Sequence, residues 1–251
     1  MVTIKASPTE LTITNLSLQN GQLIEVLHSA NWLESLLEFA HRRDHAQTSG
    51  PSLIESTGNT SLASATARVR TRVAVLPEQF QAAERLVRRR YQWRGYRVPS
   101  AENAEHSAAR AVGQAMTLLA EDGRTLLGTL TVRPDSPEGL WAEQTYNSEV
   151  ESLRRDGRRV GELVKLAVEE GADWKTALDA LVQSAYLVTR VLHGLTDVLI
   201  EINPRHIRFY QRIFGFVVAA AERLCTRVGA PSVLMRLDLE QFGRRLQLSP
   251  V

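Results

Sequence analysis

The sequence predicts an α/β (α+β) fold: a mixed, twisted sheet with helices on both faces, preceded by an N-terminal helical appendage. Three observations lead there. After residue 66, short apolar runs of strand type alternate with longer stretches of helical period. The dipeptide Asp122–Gly123 joins two of those runs in the manner of a tight hairpin. Over 159–203 a strand, a long helix and a second strand follow one another, an order that requires a parallel pair because a right-handed crossover returns the chain to the same end.

The elements follow in chain order. Residues 1–45 are expected to form the appendage, since Leu23, Leu27, Leu36, Leu37 and Phe39 fall among polar residues over 20–43 as in one or two amphipathic helices. Residues 46–65, AQTSGPSLIESTGNTSLASA, bury too little apolar surface to offset ordering and read as a polar linker. The folded domain is expected over 66–245. TARVRTRVAV at 66–75 alternates Val69, Val73 and Val75 with Arg68, Arg70 and Arg72 as a half-exposed strand. Pro77 opens a helix through Phe80, Ala83, Leu86 and Val87 that ends at Gly95. Strands at 114–122 and 125–133 flank the Asp-Gly turn, and 142–156 reads as a helix closed by Gly157. RVGELVKLAVEE, from 159, is a strand interrupted by Glu162 and Lys165. A helix from Trp174 to Leu192 follows, capped by Asp173 and stopped by Gly194. DVLIEIN at 197–203 is a buried strand, HIRFYQRIF a helix, and APSVLMRLDL at 230–239 the final strand.

Composition narrows the function classes. Thirty basic residues against 28 acidic ones in a chain of 251 leave a formal charge of +2, too little to argue for nucleic acid, although RRRYQWRGYR mixes Arg with aromatics. One cysteine, Cys225, excludes an internal disulfide and a thiolate metal cage and suggests a reducing compartment. No charged start followed by an apolar run, and no stretch of about 18 apolar residues, is present, so a cytoplasmic protein without an integral membrane segment is expected. No HExxH, GxSxG, phosphate loop or metal-ligand spacing occurs, and no metal is expected.

Four spaced blocks, GTLTVRPDSPEGLWAE, EVESLRRDGRRVGELVKLAV, LIEINPRHIRFYQRIFGF and APSVLMRLDL, resemble the long-chain N-acyl amino acid synthases, GNAT-fold relatives of the acyl-homoserine lactone autoinducer synthases. The resemblance covers roughly residues 66–240. It implies a GNAT-like fold, no permanently bound cofactor, an acyl carrier protein thioester (the 4'-phosphopantetheine arm) as donor and the amine of an amino acid as acceptor. Acetyl-CoA users commonly follow the corresponding strand with a basic, glycine-rich turn that cradles pyrophosphate. Here the turn is EEGADWKTA, where Glu169, Glu170 and Asp173 would repel it. A CoA-dependent N-acyltransferase, and a degenerate domain that binds an acyl chain or a protein partner, remain as alternatives.

The resemblance also implies site residues. Glu162 and Lys165 have the spacing of a Glu and an Arg that flank the reaction centre in the autoinducer synthases, with Lys in place of Arg, and Glu162 would accept the amine proton. Residues three apart on a regular strand point to opposite faces, so these two share a cleft only if the strand bulges, as the fold implies. Such a bulge would aim a backbone N–H near Leu166 or Ala167 at the thioester oxygen. Tyr210 matches the Tyr that protonates the departing thiolate, with the gap to Gly215 one residue longer than usual. Asn203, Arg205 and His206 occupy a turn after a strand end, where α/β folds bind ligands. The acyl tail is expected along Leu163, Leu166, Val168, Leu199 or Ile202, and the acceptor carboxylate at Lys165, Arg133 or Arg205. Carrier proteins are acidic, which makes Arg88, Arg89, Arg90, Arg158 and Arg159 candidate docking charges; Arg94, Arg97, Arg208 and Arg212 extend the basic clusters. Each of these basic runs reads equally well as a solvated helix face.

Overall fold

The computed structural model describes residues 4–7, 10–13, 69–97, 115–171 and 174–245. Strands β1 (Ile4–Ser7) and β2 (Glu10–Ile13) form an antiparallel pair of their own. The helices expected within 20–43, the linker at 46–65 and Asp173 lie outside the described residues. The main sheet contains β3 (Val69–Val73), β4 (Met116–Asp122), β5 (Thr125–Pro134), β6 (Val160–Val168), β7 (Asp197–Ile202), β8 (Val217–Cys225) and β9 (Ala230–Asp238). Its order is β3-β4-β5-β6-β7-β9-β8, antiparallel throughout except for the β6–β7 pair. The parallel pair is the one the crossover order demanded.

Helices α1 (Pro77–Trp93) and α2 (Glu143–Arg155) cover one face, and α3 (Trp174–Tyr186), α4 (Ile207–Phe214) and α5 (Leu239–Arg245) the other. Pro77 sits in the first turn of α1, where its missing N–H is no loss, and Gln79 Oε1 accepts from the N–H groups of Val75 (2.7 Å) and Leu76 (3.0 Å). The backbone of α3 continues into a π-helical stretch, Leu187–Leu192, not the uniform helix the periodicity suggests. There Thr189 Oγ1 donates to Ala185 O at 2.7 Å, a hydroxyl competing with the helical ladder. No described helix is long and apolar enough to cross a membrane.

Besides the strands β1 and β2, which lie in a segment expected to be a helical appendage, two elements of the main domain were not expected from the sequence. Strand β8 enters as an edge strand whose Val217, Val218 and Leu224 remain exposed, and the final strand β9 inserts between it and β7. Helix α5 follows β9 directly and buries Leu239 and Phe242.

The α3–α5 face holds two half-cores. Leu118, Leu130, Val132 and Leu181 anchor one; Val198, Ile200, Phe214 and Met235 anchor the other. Leu163 and Leu166 of β6 touch both. They mark a division in the sheet, because β6 and β7 pair only over Val160↔Asp197, Gly161↔Val198 and Glu162↔Leu199 and then separate.

Candidate active site

The separation coincides with a β-bulge. Thr129 and Thr131 of β5 pair with Ala167 and Val164, so β6 carries one extra residue at Lys165–Leu166 that neither neighbouring strand takes into register. Lys165 is the single non-glycine residue with positive φ among the described residues, at 56°. The extra residue resets the alternation of side chains. Leu163, Leu166 and Val168 thereby face the α3 side, while Glu162 and Lys165 both reach Trp141 on the α1–α2 side.

Glu162 is 3% exposed. Its Oε1 accepts from Arg133 Nε (2.8 Å) and the Trp141 N–H (2.7 Å), and its Oε2 from the Ala142 N–H (3.0 Å), at the start of α2. Burial pushes the carboxyl above the usual carboxylate range, against the pull of the Trp141 N–H, Arg133 and the Ala142 N–H. Removing one partner of a buried pair of this kind costs about 3–5 kcal/mol.

Trp141 is the centre of a ring of charge that the sequence did not reveal. Arg133, Lys165 and Arg227 lie 4.6, 5.5 and 5.9 Å from its ring centre. Each cation has a carboxylate: Arg133 has Glu162, Lys165 has Glu84 of α1, and Arg227 has Glu201 of β7. Glu84 and Arg227 come from far apart in the chain, so no local pattern pointed to them.

From the bulge a cavity of about 800 Å³ runs between β6 and β7 into the core. Leu163, Leu166, Val168 and Ile202 line it, and beyond them Leu178, Tyr186 and Phe242. Leu199 does not, because alternation along β7 turns it to the α2 side, where it packs with Tyr146 and Val150. Tyr210 lines the cavity with its ring among Phe209, Phe214 and Phe216 at 5.4–5.9 Å, and burial pushes its phenol up to about 12. Tyr91 of α1 also lines it and is raised by burial and by Tyr210.

The remaining candidates divide between the ends of β6. Asn203 Oδ1 caps the turn after β7 by accepting from the Arg205 N–H (3.2 Å), and Arg205 Nε donates to His206 Nε2 (3.3 Å). Arg89 pairs with Glu169, and Arg90 with Glu170 at 2.8 Å, so α1 neutralises both described acidic residues of the turn that follows β6. Arg88 stands beside them on the cavity wall. Arg158 lies at the other end of β6, held by fully buried Asp197 and by Asp238 (2.7 Å), next to exposed Arg159. Thus Arg88 and Arg90 line the cavity, Arg89 reaches only its rim through Glu169, and Arg158 and Arg159 lie away from it.

A family model described as the N-acyl amino acid synthase FeeM matches residues 82–238, more than half of the chain and all of the cavity's central walls. The chain belongs to this family of N-acyl amino acid synthases. The solved structure of FeeM from uncultured soil microbes superposes with a TM-score of 0.63 at 27% identity, covering 73% of this chain and 96% of that one. An acetyltransferase described as of the GNAT family, from Desulfovibrio desulfuricans, gives 0.49 at 19% identity, covering 68% and 99%. A variant of the spermidine N-acetyltransferase SpeG from Vibrio cholerae gives 0.48 at 13% identity, covering 71% and 98%. No curated protein matches. The fold is therefore that of the FeeM structure, and the bulge and splayed strands of the FeeM-family domain form its cleft.

Proposed function

We propose that the protein is an N-acyl amino acid synthase that moves a long-chain acyl group from an acyl carrier protein thioester to the amine of an amino acid. The observation that carries this reading is the cavity. Its volume of about 800 Å³ and its wall of Leu163, Leu166, Val168 and Ile202 suit a long acyl tail, far beyond the needs of an acetyl group. The carrier-protein donor is supported by the turn after β6, whose glutamates are matched to Arg89 and Arg90 and offer no basic cradle for a pyrophosphate. An amino acid acceptor is supported by the alternating charges around Trp141, where Lys165 and Arg227 can meet a carboxylate and Glu84 and Glu201 an ammonium.

In this reading the amine nitrogen attacks the thioester carbon, the C–N bond forms and the C–S bond breaks. Glu162 takes the proton shed by nitrogen, directly or through one water, which its raised pKa favours. Tyr210, kept protonated by burial, gives its phenolic proton to the departing thiolate. Backbone N–H at the Lys165–Leu166 bulge is suited to the developing oxyanion.

Purified protein given matched acyl-carrier-protein and acyl-CoA donors with each amino acid, followed by mass spectrometry, tests the reading. An acylated amino acid made at least about tenfold faster from the carrier thioester is expected. Equal or better turnover with acyl-CoA would overturn the donor, and acylation of simple amines in preference to amino acids would overturn the acceptor. Glu162→Gln should slow the reaction by ~10²–10⁴-fold and remove the acidic limb of the pH profile. A Glu162→Gln protein that melts cooperatively and keeps near wild-type turnover would overturn the base.

A further inference from the structure

The mouth of the cleft is crossed by the segment that leaves α1. Gly95, at φ 75°, turns residues 94–97 away from the helix axis, a conformation an L side chain rarely adopts. The segment is tied to the far lip in two places. The Arg97 N–H donates to Val228 O (2.9 Å) in the turn between β8 and β9, and Arg205 Nη2, just past β7, donates to Tyr96 Oη (2.9 Å).

Guanidinium groups accumulate there without an ion-pair partner among the described residues. Arg94, Tyr96 and Arg97 line the cavity, and Arg205 is held against them by Tyr96. Arg94 lies 5.6 Å from the Trp93 ring, Arg205 donates only to the neutral Tyr96 and His206, and none of the three arginines forms an ion pair among the described residues. Burial, then Arg205 and Arg94, hold His206 below the usual imidazole range, so it stays neutral and accepts from Arg205 Nε. Two arginines of the β6 side are treated differently: Arg89 and Arg90 have Glu169 and Glu170. Like charges gathered at a half-apolar opening repel one another unless an anion joins them.

We propose that Arg94, Arg97 and Arg205 bind the phosphate ester of a carrier protein's 4'-phosphopantetheine arm, at the lip opposite the turn after β6. This rests on the thioester-donor reading above. From that lip the arm can run into the cleft, with its thioester directed toward Tyr210 and the bulge. Guanidinium is the fitting group, since its planar fork matches two phosphate oxygens at once. Coenzyme A carries the same phosphate within a pyrophosphate, whereas a carrier protein adds contacts of its own surface at the cleft mouth.

The test needs no acyl group and no acceptor. Calorimetric titration of the full chain with 4'-phosphopantetheine and with pantetheine isolates the phosphate. Wild type should bind the phosphorylated form at least about tenfold more tightly, the range of a charge-assisted contact. In the Arg94→Gln/Arg97→Gln double variant that preference should fall to about twofold or less, whereas the charge-conserving Arg97→Lys should keep about threefold or more. Melting curves establish that the variants are folded, and pantetheine binding provides an internal control. A preference near one in wild type, or an unchanged preference in the folded double variant, would overturn the site. Competition then distinguishes the sources: holo carrier protein should displace phosphopantetheine at lower concentration than coenzyme A, and the reverse order would overturn the carrier assignment. Because acyl transfer is not measured, failure of the site and failure of the synthase reading are separate results.

Discussion

Single side chains in this protein owe their chemistry to burial more than to identity. Asp179 of α3 is 8% exposed, and Gln183 Nε2, 3.2 Å from each carboxylate oxygen, is its one hydrogen-bond partner among the described residues. Burial pushes its carboxyl from the ordinary 3.8 to about 7. The unfolded chain therefore loses this proton near pH 3.8 while the folded chain keeps it to about pH 7. Between those values the unfolded state binds fewer protons, so stability falls as pH rises, and the penalty is complete above pH 7. Asp179→Asn should stabilise the protein by on the order of a few kcal/mol at pH 8 and by little at pH 3.5. Urea melts across that range measure it, and a gain that did not vary with pH would show that the carboxyl is not the cause. Nothing in the sequence around Asp179 announces this, because helical spacing places it beside Leu178 and Ala180 without stating what covers it. Glu162 differs: its interruption of an apolar strand run was visible, whereas its partners Arg133, Trp141 and Ala142 were not.

Among the elements, β6 decides the site. Its bulge could be expected only from the resemblance, since Glu162 and Lys165 at regular alternation would have faced apart. The strand's close packing on β5 depends on Gly161, where an added Cβ would lie 2.6 Å from Leu195 Cδ1 and 2.9 Å from Arg133 O. Gly161→Ala must push back a backbone carbonyl next to the arginine that holds Glu162, and should cost ~1–3 kcal/mol of stability. Gly128→Ala, whose Cβ would meet the movable Leu181 Cδ1 at 3.0 Å and Ala167 O at 3.3 Å, should cost less. Chemical denaturation of both variants gives the comparison, and the opposite ranking would mean that β5 yields easily at Arg133. Strand β8 went unseen in the sequence for a related reason. Val217, Val218, Ala219 and Ala221 are exposed and small side chains recur, so the edge strand carries no buried-exposed alternation and takes its place by pairing with β9.

For the molecule as a whole, the opening between β6 and β7 leaves the two half-cores joined by three paired residues on each strand, by Leu163 and Leu166, and by α3, which gives Leu181 to one and Leu178 to the other. A ligand that fills the opening should tie the halves together. Long-chain fatty acid at about 100 times its dissociation constant should stabilise the protein by ~2.7 kcal/mol, read as a rise in Tm, while acetate at the same concentration should leave Tm unchanged. A rise with acetate, or none with the long chain, would mean that the cavity does not receive the tail.

By itself the sequence determined the order and type of the elements from β3 to α4, the parallel pairing of β6 with β7, and the block pattern that placed the chain near the N-acyl amino acid synthases. The first two depend on local periodicity, turn residues and crossover handedness, which act within a few tens of residues, whereas the last rests on the resemblance of four sequence blocks. Tertiary structure alone decided that the pairing of β6 with β7 ends at Glu162↔Leu199 and that Leu199 faces away from the cavity. It also decided that Glu84, Trp141, Arg227 and the Arg94–Arg97 segment converge on the opening. Those contacts join residues as far apart as Glu84 and Lys165 or Trp141 and Arg227, and their charges acquire partners only when the sheet brings distant strands and helices together.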